Sequence, residues 1–118
     1  MDRTWHPQLE LLWNVVAMIP AGEVWTYGEV AQAAGLAGHA RQAGYALKVA
    51  PPELKLPWHR VVSAGGRIAF PPGSSAYREQ VRRLRAEGLR VAGGRISGFR
   101  STERMMMGEP CEAHRSGD

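Results

Sequence analysis

The sequence predicts a mainly α fold with a small β-hairpin, arranged as a winged helix-turn-helix-like domain. Three observations carry this reading. Leu9, Leu12, Trp13, Val16 and Ile19 recur at helical spacing, as in a helix with one buried face. Thr26-Tyr27-Gly28-Glu29 is a capping box; it opens the first of two short helices separated by a glycine-containing turn. Val61-Val62 and Arg67-Ile68-Ala69-Phe70 flank the turn-forming Ser63-Ala64-Gly65-Gly66, the pattern of a hairpin.

Each element has start and stop signals. Pro7 suits the first turn of the opening helix, and Pro20-Ala21-Gly22 ends it. In the capping box, the Thr26 hydroxyl accepts from a first-turn amide while Glu29 reaches back to the Thr26 amide. That helix ends at Gly35, and after Leu36-Ala37-Gly38-His39 a second helix runs from Ala40 to Val49. Pro51-Pro52 terminates it. The stretch from Pro51 to Pro57 is an extended loop, and Pro71-Pro72-Gly73-Ser74 an irregular one. Ser75 to Glu87 is helical, with Tyr77, Val81 and Leu84 inward, Arg78, Arg82, Arg83 and Arg85 mostly outward, and Gly88 as its cap. Leu89 to Val91 adds one extended segment, and beyond Arg100 the pattern dissolves into a polar tail containing Met105-Met106-Met107.

At 118 residues and 44% apolar content, the chain reads as one globular domain with its own core. No apolar run approaches the ~20 residues of a membrane span. The first residues lack a signal-peptide layout, so a cytoplasmic location is expected. The single cysteine, Cys111, excludes an intrachain disulfide and a cysteine-rich metal site. His6, His39, His59 and His114 show no metal-ligand spacing. Residues 1–100 carry 13 bases and 7 acids, whereas 101–118 carry two bases and four acids. A basic core suits a polyanion partner or serves solubility alone.

Two stretches could carry chemistry. On the second short helix, Arg41, Tyr45 and Lys48 share a face at i, i+4 and i+7, beside the small-residue face of Ala40, Ala43, Gly44 and Leu47. That face suits close approach to a neighbouring helix or to a nucleic-acid groove; Arg41, taken alone, reads more readily as a solvated charge than as a DNA contact. The second stretch is Pro57-Trp58-His59-Arg60, leading into Val61-Val62. Trp58 suits core packing or stacking on a nucleobase. His59 has no adjoining Ser, Cys or Thr to activate, so it reads as a hydrogen-bonded structural histidine. Cys111 lies in polar Pro110-Cys111-Glu112, without strand or following histidine.

Four ordered blocks resemble the O6-alkylguanine-DNA alkyltransferase family. Residues 19–31, Ile-Pro-Ala-Gly-Glu-Val-Trp-Thr-Tyr-Gly-Glu-Val-Ala, are similar to its turn and first DNA-binding helix. Residues 40–47, Ala-Arg-Gln-Ala-Gly-Tyr-Ala-Leu, resemble its recognition helix. Leu56-Pro57-Trp58-His59-Arg60-Val61-Val62 resembles its Pro-Cys-His-Arg-Val active-site block, with Trp58 in place of the reactive cysteine. Arg83-Leu84-Arg85-Ala86-Glu87-Gly88 resembles the helix that ends the domain. The resemblance spans roughly residues 8–90, assigns 1–100 to the DNA-binding domain and leaves 101–118 as tail.

The resemblance implies a helix-turn-helix that binds the minor groove. Arg41 matches the arginine that fills the space of a flipped nucleotide, and Tyr27 the tyrosine that pushes the 3′ phosphate. Ala40, Gly44, Tyr45 and Lys48 complete the DNA contact. Tyr27, Leu47, Lys48, Trp58, Val61 and the loop Ala69, Phe70, Pro71, Gly73 and Ser74 match the walls of a base pocket. His59 and Glu87 match the relay that activates the cysteine. With an indole at Trp58 there is no thiolate to attack an alkyl carbon. The pattern resembles alkyltransferase-like proteins, non-enzymatic sensors that flip O6-alkylguanine in double-stranded DNA and flag it for nucleotide excision repair proteins. No cofactor, no metal, no membrane association and a monomer are expected. Two features depart from active enzymes: Ala50-Pro51 replaces an Asn-Pro pair, and Phe70-Pro71-Pro72-Gly73 replaces a Tyr-or-Ser-Gly-Gly loop. The alternatives are a residual alkyltransferase using His59 or Cys111, and a sequence-specific regulator reading the major groove. Ala40, Ala43 and Gly44 offer the latter few base-reading side chains.

Overall fold

The computed structural model describes residues 7–97. The readings made for His6, the 101–118 tail, Met105-Met106-Met107, Cys111 and His114 lie outside the described residues. The order is α1 (Pro7–Ala17), β1 (Trp25–Thr26), α2 (Tyr27–Ala33), α3 (Ala40–Val49), β2 (Val61–Val62), α4 (Ser75–Ala86), β3 (Val91–Ala92) and β4 (Arg95–Ile96). Short 3-10 turns sit at Pro52–Leu54, Trp58–Arg60 and Ala64–Gly66. The mainly helical class and the helix-turn-helix are as the sequence predicts. Among the described residues, no helix is long and apolar enough to cross a membrane.

The local signals act as written. In the α2 capping box the Glu29 amide donates to Thr26 Oγ1 (3.0 Å) and the Thr26 amide to Glu29 Oε1 (2.7 Å). Helix α3 begins at Ala40 and stops before the proline pair, because Pro51 disfavours a helical residue before it. Ala43 and Ala46 are its buried residues. Trp13 Nε1 of α1 donates to the Ala46 carbonyl (2.8 Å), tying α1 across α3. Helix α4 ends in a Schellman motif. The Gly88 amide donates to the Arg85 carbonyl (3.0 Å) and the Leu89 amide to the Leu84 carbonyl (3.1 Å). Gly88 has φ +90°, which fits glycine at this place.

The strands differ from the expectation. Val61-Val62 does not ladder with 67–70 in a hairpin. Only a single Ser63–Arg67 bridge remains of that pairing. Instead β2 pairs in parallel with β1, Trp25 opposite Val61 and Thr26 opposite Val62. The α2–α3 unit supplies the long crossover a parallel pair requires. Both residues of β2 are buried, as strands of parallel pairs usually are. The hairpin of the fold lies further on, where β3 and β4 pair antiparallel, Val91 opposite Ile96. Gly93 and Gly94 both have positive φ, the demand of a tight two-residue hairpin turn.

Strand β2 divides two cores. Val61 packs with Leu12, Val16, Ile19, Val30, Ala43 and Ala46 of the helical half. Val62 packs with Val24, Ile68, Leu84, Val91 and Ile96. Successive strand residues point to opposite faces, so two adjacent valines serve two clusters. The parallel pairing also positions the site. Strand β1 runs directly into Tyr27, and β2 directly follows Trp58–Arg60. Pairing the strands brings the start of α2 and the Trp58 turn side by side.

Candidate nucleic-acid interface

The outer face of α3 carries Ala40, Arg41, Tyr45 and Lys48, all exposed. Tyr45 retains 56% of its accessible surface. No ion pair among the described residues engages Arg41 or Lys48. Gly44 is half-buried beside the Tyr27 ring; a Cβ at Gly44 would lie 3.9 Å from two ring carbons. Tyr27 opens α2, and burial raises its hydroxyl above the usual phenol range. It is therefore a neutral phenol at pH 7, able to donate a hydrogen bond.

The Trp58 turn is held from three sides. Phe70 meets the indole edge-on (5.8 Å, 90°), as does His59 (6.2 Å, 89°). The Arg83 guanidinium lies over the indole, 5.5 Å from its centre, a cation–π contact. Arg83 Nε also donates to Glu79 Oε2 (2.6 Å). A cleft of about 390 Å³ opens here, bounded by Leu47 of α3, Pro51, Lys55, Leu56, Trp58 and Arg83.

The expected pocket residues separate on this geometry. Leu47 and Trp58 line the cleft, and Phe70 braces the indole. Tyr27 packs beside Gly44. Lys48 stands on the exposed face of α3. Val61 is buried in the helical core, 1% exposed. Ala69, Pro71 and Gly73 are exposed, and Ser74 caps α4 by accepting from the Tyr77 amide (3.2 Å). Arg83, expected to face mostly outward, instead covers the indole. Its spacing contained a signal, since Arg83 lies one helical turn before Glu87, the C-cap of α4. Gln80, missed altogether, is 1% exposed. Its Nε2 donates to the carbonyls of His59 (2.9 Å) and Val61 (3.0 Å), fastening the turn to α4.

His59 and Glu87 are brought together as the resemblance implied, with His59 Nε2 2.8 Å from Glu87 Oε2. The contact belongs to a larger cluster. Arg60 Nε donates to both Glu87 oxygens (3.1 Å each) and Nη2 to Oε2 (2.7 Å). Arg60 Nη1 donates to the Ile19 carbonyl (2.8 Å). The Gly22 amide donates to Glu87 Oε1 (3.1 Å). Arg60's hydrogen bonds, aided by His59 and the Gly22 amide against the opposing effect of burial, hold the Glu87 carboxyl down at about 2. A carboxylate at Glu87 fixes Nε2 of His59 as the protonated nitrogen. The other nitrogen, Nδ1, is buried with no hydrogen-bond partner among the described residues. The pair is thus a structural clamp between the Trp58 turn and the end of α4. Beside it Trp58 offers an indole, which does not ionise to a nucleophile.

Comparison with known proteins bears on this geometry. The model of the 6-O-methylguanine DNA methyltransferase DNA-binding domain matches residues 8–89. Alkyltransferase-like protein 1 of Schizosaccharomyces pombe is 40% identical over 80 residues, 68% of this chain and 74% of that protein. The DNA base-flipping protein of Escherichia coli is 46% identical over 82 residues, 70% of this chain and 62% of that protein. Among solved structures, S. pombe Atl1 in complex with damaged DNA containing O6-carboxymethylguanine superposes with a TM-score of 0.65. It is 37% identical, over 73% of this chain and 80% of that one. The match covers both short helices, the Trp58 turn and the end of α4, and by it the chain belongs to the 6-O-methylguanine DNA methyltransferase DNA-binding family, among its alkyltransferase-like members.

Proposed function

We propose that this protein recognises O6-alkylguanine in duplex DNA by rotating the damaged nucleotide out of the stack, and that it transfers no alkyl group. One observation carries the reading. Trp58, at the position where the resemblance puts the family's cysteine, presents an indole on the wall of an open cleft beside α3. An aromatic plane can stack with an extruded base but cannot accept an alkyl group. In this reading Ala40, Arg41, Gly44, Tyr45 and Lys48 form the DNA face. Arg41 enters the space left by the base. Tyr27, neutral and fixed beside Gly44, hydrogen-bonds the adjoining phosphate. Leu47, Trp58 and Phe70 enclose the base, with Arg83 added to their number; Lys48, Val61 and the loop residues Ala69, Pro71, Gly73 and Ser74 contribute at its edge or as support. A poorly pairing base costs less to unstack, which supplies the preference for lesions.

The protein would act as a monomer, in the cytoplasm, marking sites for nucleotide excision repair proteins. A titration with duplexes containing O6-methylguanine, a larger O6-alkylguanine or plain guanine tests the central claim. Tighter binding to the lesions is expected, weakening as salt rises; equal affinity for all three would sink it. Radiolabelled alkyl-DNA tests the second claim, for which the label is expected to stay on DNA. Label on the protein would restore a transferase.

A further inference from the structure

A second cleft lies on α4, away from Trp58. It measures about 430 Å³ and shares no lining residue with the first. Arg78, Arg82 and Arg85 stand around a floor of Tyr77, Val81 and Val91. At 3.6 residues per turn, positions i, i+4 and i+7 share one helix face, and Arg83 leaves from another side to cover the indole. Two of the three guanidiniums are fixed by backbone. Arg85 Nη2 donates to the Val91 carbonyl (2.7 Å), and Arg78 Nη1 to the Gly73 carbonyl. Neither has a carboxylate partner among the described residues. Arg82 is paired with Glu79.

We propose that this cleft docks an acidic helical segment of a partner protein while the α3 face holds DNA. Arginine held in place loses little freedom when it grips a carboxylate with its remaining N–H groups. Arg78 and Arg85 are seven residues apart, about 10 Å along the helix axis. They would therefore grip two carboxylates at that separation, with an apolar side chain between them over Tyr77 and Val81. The concave shape and apolar floor favour a peptide over a duplex backbone, which offers phosphates and no apolar side chain. Recognition of acidic motifs by arginine clusters has this chemistry. Simultaneous occupancy rests on the DNA reading above; peptide docking itself does not.

The test uses the full chain and a fluorescein-labelled helical peptide with Glu at positions i and i+7 and Leu at i+3 and i+4 between them, followed by fluorescence anisotropy with and without saturating O6-methylguanine duplex. Binding is expected in both conditions, giving a ternary complex. Arg78→Glu with Arg85→Glu should weaken the peptide about tenfold or more and leave the duplex affinity within twofold, or about 0.4 kcal/mol. Because Arg85 also holds Val91, Arg78→Glu with Arg82→Glu is made alongside, sparing the hairpin's anchor. Peptide affinity unchanged by both pairs overturns the proposal. So does displacement of the peptide by duplex, or equal loss of duplex binding, since the cleft would then belong to the DNA surface. Tighter peptide binding on changing Glu103, Glu109 and Glu112 to Gln would make the chain's own acidic segment the occupant, and also overturn it. Peptide binding without any preference for damaged duplex would instead refute the lesion reading and leave this one standing.

Discussion

Arg41, Tyr45 and Lys48 on α3 stand exposed, with no ion pair among the described residues at Arg41 or Lys48. Arg60, His59 and Glu87 form a tight cluster, with side chains only 8–18% exposed. Both regions are polar, and both border the Trp58 turn or the helix that faces it. The difference lies in what each charge is joined to. Exposed, unpaired cations contribute little to stability and are free to meet phosphates. The part-buried cluster contributes through the fold: one carboxylate gathers the end of α4, the Trp58 turn and the Ile19–Gly22 loop. Under the proposed function, the exposed cations would be the adaptable contact face and the cluster the rigid support that a recognition site needs.

Breaking the cluster should have the largest effect. Glu87→Ala removes the acceptor for Arg60, His59 and the Gly22 amide, leaving a partly buried guanidinium unpaired. A loss of about 3 kcal/mol is expected, read by urea denaturation. A loss under about 0.5 kcal/mol, the range of ordinary surface substitutions, would place the cluster with the surface pairs. Acid probes the same group. The folded carboxyl is held at about 2 and the unfolded one titrates near 4.5. Its stabilisation is therefore complete above that higher value and disappears as pH falls toward the lower one. Urea midpoints taken downward from pH 6 should show this decline, and Glu87→Gln should shrink it. An identical decline in the variant would assign the acid sensitivity to other groups.

Arg41→Ala sharpens the contrast from the other side. It should cost roughly 1–3 kcal/mol in binding lesion duplex while moving stability by no more than about 0.5 kcal/mol. Wild-type binding would remove Arg41 from its assigned role. The smallest effect is expected at Gly44. The nearest Tyr27 carbons would stand 3.9 Å from a new Cβ, an ordinary contact. Gly44→Ala should thus gain about 0.5–1 kcal/mol of helix stability and at the same time weaken DNA binding, by keeping the α3 backbone off the groove. Gains in both would mean that no groove approaches this point.

The helical half was legible in the sequence because its signals are local. Thr26 and Glu29 name the start of α2, and Ala40 to Val49 lies between a glycine turn and two prolines. What stayed hidden is non-local. Nothing near Val61 announces a parallel partner at Trp25, and a hairpin with the nearby 67–70 run was the simpler expectation. Gly93-Gly94, between Ala92 and Arg95, is a local turn signal for the β3–β4 hairpin. Gln80 was hidden for another reason: an amide on an inward face breaks the apolar pattern, and its use lies in two carbonyls some twenty residues away. At the site, the order of blocks led to Trp58, His59 and Glu87, but only packing places Arg83 over the indole.

The neighbouring valines of β2 have a kinetic consequence. Because Val61 belongs to one hydrophobic cluster and Val62 to the other, neither cluster can open without pulling on its neighbour through a single peptide unit. The two halves should melt as one cooperative unit, and deuterium should reach the β2 amides only when the whole chain opens. The Trp58 turn next to them then keeps its shape for as long as the molecule stays folded.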